Sequence, residues 1–593
     1  PSLETEAAVQ LFAERAREVR TDFQLTEENA EIIAAICEQL DNLPLGIELV
    51  AGRARTFSPA ELLQQLAPRL EAHPAGSRDL PERQRTLRNA IAWSYDRLSA
   101  EEQGVFAHLG VFLGGCTVEA VRAVIETDLP LPLLLETLVE ASLVQSQPCG
   151  NETRFTLLET LREFALEQLS ARGEVEGTRQ RHAAYFRAMA EQAAPELIGP
   201  HQKHWFDRLE RELPNLRAGL SWSASHALET HLQLATALEQ FWLVRGYAME
   251  GRTWIKQALQ RSPPPQTDIQ AGAQLVAGIL AIKQGDFAEA YDLLKQSHQI
   301  FMQTENERGL ARVLLYLGLT IEGQADYPAA KIFFQDSLKL ARELQDWHTE
   351  AGALTGFAHI AIRQGDHTLS RSYTEQALNL YKTHYDIRDA AGLTLNLGIL
   401  AYELGDHIPA RAYTETALAA ACELGDKYLI SLSLLHLGNV LIALQDYTTA
   451  RTHLEETVDL RRRQGDTENL AAPLGTLGRA LYKLGEVKQA RACQLEALML
   501  RVGSGERRGI AVSLENLAPL ELTDHQPARA AQFLGASEAI REAIGAPIIP
   551  TRRLEYEQVV ASVRAALGEP AFTEAWAEGR ALTVEQLIAL ATN

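Results

Sequence analysis

The chain has 593 residues, 46% hydrophobic and 23% charged, with a formal net charge of −22; that length exceeds a single core and predicts about three or four domains. The acidic balance argues against wrapping nucleic acid, which requires lysine and arginine to displace phosphate counterions, and no window approaches the ~18 consecutive apolar residues of a membrane span. Five scattered cysteines, Cys37, Cys116, Cys149, Cys422 and Cys493, include no CxxC pair and read as reduced thiols of a cytoplasmic protein, with no metal site expected. Pro1 opens the chain without a basic, apolar, small-residue leader, and the sequence reads as a piece of a longer protein.

From Ser2 to about Leu70 the spacing is helical: Ala8, Leu11, Phe12 and Ala16 share one face, and Ile32, Ile33, Ile36 and Leu40 another. Thr26 is placed to cap the second helix, but a full capping box calls for Glu or Gln where Asn29 stands. Pro44 sits in the first turn of the next helix, where its missing N–H costs nothing. The run CEQLDNLPLGIELVAGRAR, together with EAAVQLFAERA at residues 6–16, resembles the helical lid that follows the nucleotide fold in NB-ARC ATPases of the STAND class. That resemblance implies a lid over residues 1–75, with the nucleotide-binding domain itself missing, and a Pro44 that packs on adenine. Asn42 replaces the family's usual glycine and Gly46 its alanine; read from the residues alone, Pro44 is a helix-opening proline.

Residues 76–172 continue the same resemblance as a winged-helix domain. Leu87, Ile91, Trp93, Tyr95 and Leu98 run along its first helix, Ser99 caps the second and Thr117 the third, Leu133 to Leu143 form the fourth, and Val144 and Phe155–Leu157 mark two wing strands joined across Pro148–Asn151. In FTLLETLREFALEQL, Leu158 occupies the position of the family histidine that contacts the β-phosphate of ADP, and a leucine cannot donate that hydrogen bond. LLETLREFA followed by RQRHAAYFRAMAE is similar to the large LuxR-type and AfsR-type bacterial regulators with tetratricopeptide sensors.

Residues 173–227 read as a helical linker, with Trp205, Leu209, Leu216, Leu220 and Trp222 expected to seal the first hairpin of an array; residues 546–593 read as its C-terminal helical cap. Between them a corner recurs every 40 residues: Gly285-Asp286, Ala325-Asp326, Gly365-Asp366, Gly405-Asp406, Gln445-Asp446 and Gly485-Glu486. Gly278, Gly318, Gly398, Gly438 and Gly478 keep the same beat, as do Ala290, Ala330, Ala410, Ala450 and Ala490. Small residues so placed let two helices of a hairpin approach closely, and the pattern resembles the tetratricopeptide repeat, lengthened from its usual ~34 residues. The expected fold is therefore mainly α: lid, winged helix and an α-solenoid of about eight hairpins over residues 228–545.

Catalytic signatures are absent. No GxxxxGK[ST], HExxH or GxSxG run occurs, so the chain is expected not to be an enzyme, with ADP or ATP a cofactor of the full-length parent only. The wall of first helices carries His359, Arg363, Asn396, Tyr402, His436, Asn439, Arg479, Tyr482 and Asn516, polar and aromatic side chains suited to a protein or small-molecule inducer. Two functions stay open: the regulatory and sensor portion of a STAND transcriptional regulator with inducer-dependent oligomerisation, or a free-standing protein–protein interaction scaffold. Direct DNA binding by the winged helix is disfavoured, because acids outnumber Lys and Arg across it.

Overall fold

The computed structural model describes residues 3–40, 42–70, 82–125, 130–150, 152–261, 267–464 and 469–592. The boundary expected at residue 75, the Leu87 side chain and Asn151 of the wing turn lie outside what is described. The chain forms two compact units, Pro1–Ala193 with Asp207–Ala237, and Ala194–Phe206 with Leu238–Asn593.

In the first unit, α1 (Leu3–Val19), α2 (Glu27–Gln39), α3 (Pro44–Ala51) and α4 (Pro59–Leu70) bury Phe12, Ile33, Ile36, Leu40, Ile47 and Val50 in one core. Thr26 caps α2 with a complete capping box: its N–H donates to Asn29 Oδ1 at 2.9 Å, and Asn29 N–H donates to Thr26 Oγ1 at 3.4 Å. The sequence expectation that only Glu or Gln could close this box is corrected, since the shorter amide reaches. Next come α5 (Glu82–Tyr95), α6 (Ala100–Leu109), α7 (Val118–Ile125), α8 (Leu131–Glu140), β1 (Gln145–Cys149), β2 (Glu152–Thr156) and α9 (Glu159–Ala171). Ser99 and Glu102 box the start of α6, and Thr117 Oγ1 accepts from Ala120 N at 3.2 Å. The two strands pair antiparallel from Gln145↔Thr156 to Cys149↔Glu152, and Cys116 bridges Phe155.

Helices α10 (Val175–Glu196), α11 (Gln202–His226) and α12 (Leu228–Ala237) complete this unit, except for the stretch through Phe206. Glu212 forms a buried ion pair with Arg154 of β2, and Asn215 accepts from Leu113 N at 2.7 Å and donates to Gly115 O at 2.9 Å. His231 Nδ1 lies 3.0 Å from Leu220 O. Of the residues expected to cap the repeats, Leu209, Leu216, Leu220 and Trp222 fall in the first unit and Trp205 in the second, which resumes at Leu238.

Acid sensitivity follows from this packing. His182 is 3% exposed, and burial pushes its pKa down to about 4. A histidine depressed below its ordinary value of ~6.5 contributes fully above that pH and loses its contribution as pH falls toward the folded value, here roughly 3 kcal/mol in all. Thermal melts are expected to fall between pH 6.5 and 4, and His182→Gln, which cannot titrate, to flatten part of that fall. An unchanged pH profile in the variant would assign the effect elsewhere.

Among the described residues, the second unit stacks eight helix pairs: α13 (Glu239–Val244) with α14 (Ala248–Arg261), α15 (Asp268–Lys283) with α16 (Phe287–Gln303), α17 (Glu307–Gly323) with α18 (Tyr327–Glu343), α19 (Trp347–Arg363) with α20 (His367–Thr383), α21 (Ile387–Leu404) with α22 (His407–Leu424), α23 (Lys427–Ala443) with α24 (Tyr447–Gln464), α25 (Ala471–Lys483) with α26 (Val487–Ser504), and α27 (Arg507–Thr523) with α28 (Pro527–Ile544). The 40-residue beat has a direct cause at each corner. Gly285, Gly365, Gly405 and Gly485 adopt positive φ, and Ala325 and Gln445 are held in the same left-handed region. The acid that follows caps the next helix: Asp286, Asp326, Asp366 and Asp446 each accept from the N–H three residues on, at 3.0–3.2 Å. Eight residues before the corner, a Cβ on Gly278, Gly318 or Gly438 would come within 2.8 Å of Leu294, Phe334 or Leu454, so glycine sets how closely the two helices of a pair approach.

Successive first helices touch one another, second helices do so less, and α19 and α21 approach less closely than the other neighbouring first helices. After the pairs come α29 (Pro550–Leu567), α30 (Glu569–Ala581) and α31 (Val584–Thr592). Helix α30 packs on α28, whereas α29 lies against α21, α27 and α28, so the segment expected as an end cap also runs along the wall of first helices. No described helix is long and apolar enough to cross a membrane.

Candidate ligand groove on the first helices

The wall presents one face of each first helix, and α29 closes part of it. A cavity of about 200 Å³ forms where α21, α23, α25 and α27 meet α29, and its lining includes Tyr402, His436, Asn439, Arg479 and Asn516 with Arg501 and Arg552. Tyr482 lines an adjoining cavity of about 170 Å³ on the far side of Arg479 and Arg552. Six of the nine wall residues named from sequence therefore converge. The other three do not line either cavity: His359 is half-buried on α19, Arg363 is exposed in its last turn, and Asn396 is half-buried on α21. They share the helical register, but His359 and Arg363 lie on α19, whereas α29 packs against α21, α27 and α28.

Arg479 donates to Asn439 Oδ1 and to Glu555 Oε2, both at 3.3 Å, and Lys483 Nζ lies 2.7 Å from Glu555 Oε1. Arg552 donates to Asn516 Oδ1 at 2.6 Å, and Asn516 donates to Gln494 Oε1 at 3.3 Å. Burial would raise Glu555, yet Arg479 and Lys483 outweigh it and bring the carboxyl to about 2. Burial, then the Arg479 charge, lowers Arg552 to about 10, and burial takes His436 down to about 4, leaving that imidazole neutral. The Nε atoms of Arg479 and Arg552 are buried without hydrogen-bond partners. In a chain of net charge −22, the 200 Å³ cavity is lined by Arg479, Arg501 and Arg552 against a single acid, Glu403. Sequence reasoning missed Arg552 and Glu555, because helical periodicity in α29 does not reveal which surface it covers.

In the first unit, Leu158 lines a cleft of about 520 Å³ with Leu11, Arg15, Leu45, Glu48 and Ser142. Arg15 Nη2 already donates to Ser142 Oγ at 2.8 Å. Pro44 is exposed in the first turn of α3 and does not line the cleft, so the two residues assigned to nucleotide by resemblance are not brought together in one site. With Leu158 lacking a polar group, nothing in this pair could hold a phosphate.

Residues 270–343 and 429–501 match the tetratricopeptide repeat family. The pairs α15/α16, α17/α18, α23/α24 and α25/α26 fall in the matched stretches, and the other pairs are tetratricopeptide-like in fold. An archaeal protein described as a Signal Transduction ATPase with Numerous Domains with a tetratricopeptide repeat sensor, from Pyrococcus horikoshii, shares the fold at a TM-score of 0.50 and 14% identity, over 95% of this chain and 74% of that one. In sequence, the chain is 34% identical over 355 residues to a Mycobacterium tuberculosis protein named as an HTH-type transcriptional regulator, covering 58% of this chain and 40% of the relative. It is also 35% identical over 191 residues to an uncharacterized protein of the same organism, covering 31% of this chain and 48% of the relative. The chain thus spans less than half the length of these curated relatives, and its fold is similar to that of the STAND protein with a tetratricopeptide repeat sensor.

Proposed function

We propose that the chain is the regulatory and sensor portion of a STAND-class signal-transduction protein acting in transcription, in which the tetratricopeptide groove captures an inducer and so biases a nucleotide-dependent switch. ADP or ATP belongs to the nucleotide-binding domain of the full-length parent in this reading, and oligomerisation follows opening. The observation that carries it is the arginine-lined cavity under α29. Three guanidiniums line the cavity beside Glu403, and Glu555 on Arg479 and Glu506 near Arg501 stand as the acidic groups of an inducer would, which favours an inducer with a carboxylate or phosphate group.

A thermal-shift screen of the chain against carboxylate- and phosphate-bearing metabolites tests the groove. Stabilising hits are expected to bind at least about tenfold more weakly to Arg479→Ala, the loss that follows from removing a charged hydrogen bond of ~1.5–3 kcal/mol. Hits confined to neutral compounds, or indifferent to Arg479, refute the assignment. The switch is tested in the full-length protein, where Leu158→Asp places a charge in the 520 Å³ cleft and is expected to raise reporter output without inducer. A folded variant that stays silent removes the wing from the mechanism.

A further inference from the structure

Away from the arginine cavity, where α19 and α21 draw apart, three potential ligands converge on the first turns of these helices. His348 Nε2 lies 3.5 Å from Asp389 Oδ2 and 4.0 Å from Asp386 Oδ2, and one donor atom from each residue falls within 4.8 Å of the others. Each carboxylate is held by one oxygen only. Asp386 Oδ1 accepts from Gln202 Nε2 at 2.8 Å and from Asp389 N at 3.1 Å, while Asp389 Oδ1 accepts from Arg388 Nη1 at 2.6 Å. The remaining oxygen of Asp386, on a side chain 1% exposed, has no hydrogen-bond partner, and neither does His348 Nε2. A buried carboxylate oxygen without a hydrogen-bond partner is costly unless something lies against it, and the imidazole nitrogen that faces it has, beyond that, only the 3.5 Å ion-pair contact with Asp389.

The surrounding charge points the same way. Glu239, Asp386, Asp389 and Asp426 face Arg312 and Arg388: Arg312 is bound by both oxygens of Glu239 at 2.7 and 2.8 Å, and Arg388 bridges Asp389 and Asp426. Four carboxylates therefore outnumber the two guanidiniums, with the imidazole of His348 set beside two of them. Gln202, whose Oε1 accepts from Arg388 N at 3.1 Å, fixes Asp386 in the way outer-shell groups orient metal ligands.

We propose that His348, Asp386 and Asp389 form a binding site for one divalent first-row transition-metal ion, of the zinc or manganese class, joining α19 to α21. Metal–ligand bonds of about 2.0–2.2 Å set donors roughly 3.3–3.5 Å apart in a tetrahedral site, so the 3.5 Å pair is in place, while the 4.0 Å pair and the two carboxylates, within 4.8 Å of each other, draw in on binding. One imidazole and two carboxylates leave a position for water, and the partial exposure of His348 and Asp389 provides the way in.

The test uses the whole chain, stripped with chelator and titrated near pH 7.5 with Mn²⁺ by electron paramagnetic resonance and with Zn²⁺ by calorimetry. One equivalent is expected, with a raised melting temperature. His348→Ala and Asp389→Asn should each weaken binding at least about tenfold, and Arg479→Ala should leave it unchanged. Should a variant fail to fold, X-ray absorption on the zinc-loaded wild type decides: an oxygen shell with one imidazole supports the site, and a sulfur shell or one without imidazole overturns it. No stoichiometric binding of either ion at about 1 mM, or binding indifferent to His348→Ala, also overturns it.

Discussion

Deleting residues 406–445 leaves a folded chain one hairpin shorter, whereas deleting 406–425 alone abolishes cooperative melting of the repeats. The longer cut joins Gly405, at φ 89°, to Asp446, rebuilding a left-handed corner followed by a capping acid, and it sets Gly398 opposite Leu454 as Gly438 is now. The shorter cut removes α22 and leaves α21 running into α23, two first helices whose buried faces both require a second helix. A hairpin buries its apolar face only against its own partner and its neighbours, so a half-unit error exposes both sides of the break. Circular dichroism melts of the two deletions decide the matter. The in-phase variant is expected to lose some stability because α29 no longer meets α21 in register, but equal melting of both would disprove the repeat phase.

Gly579→Val is expected to detach the C-terminal helices, at a cost of ~3 kcal/mol or more. A Cβ at Gly579 would stand 2.1 Å from Gln532 O, and one at Gly535 would stand 2.3 Å from Trp576 O, so α28 and α30 meet backbone to backbone. Overpacking is cheap only when a flexible side chain can yield, and here the obstacle is main chain. The separation would also strain Trp576 Nε1 donating to Glu538 at 2.8 Å and Arg580 to Glu542 at 2.6 Å. Gly503→Ala is the control: nothing lies within 4 Å of its Cβ, and in a helix the change is neutral to stabilising. Thermal melts of the two variants should separate widely; if Gly579→Val melts with the wild type, the close approach is wrong.

What could be read from sequence was what repeats. The corner acids and in-phase glycines recur because every hairpin solves the same local problem, and their period shows through unrelated intervening residues. A second series had the same period and went unread: Asn306, Asp346, Asp386 and Asp426 cap the first helices as Asp286 and its counterparts cap the second. Listing Asp and Asn by their residue number modulo 40 would have found it. The partners of those caps could not have been found this way, since Gln202 reaches Asp386 from 184 residues away. Burial of a polar wall residue was equally invisible: Tyr402 and Asn516 are buried at offsets where Tyr482, His436 and Asn396 are only half-buried, and Arg552 of α29 bonds Asn516. That Leu158 carries no polar group is legible in the sequence; that Pro44 stands outside the cleft that Leu158 lines is not.

The same long-range contacts bear on how the second unit folds. A stack in which each hairpin met only its neighbours would fray from either end, one unit at a time, with low contact order and rapid zipping. Here the N-terminal segment is stitched to the interior by Gln202 on Asp386, and the C-terminal segment by Glu555 on Arg479, 76 residues apart. Such links demand closure of long loops before they reward it, which slows folding. Once made, they deny the terminal hairpins independent unravelling: an end can open only by breaking pairs on α21 and α25, so the array melts as fewer, larger blocks than its count of repeats would suggest.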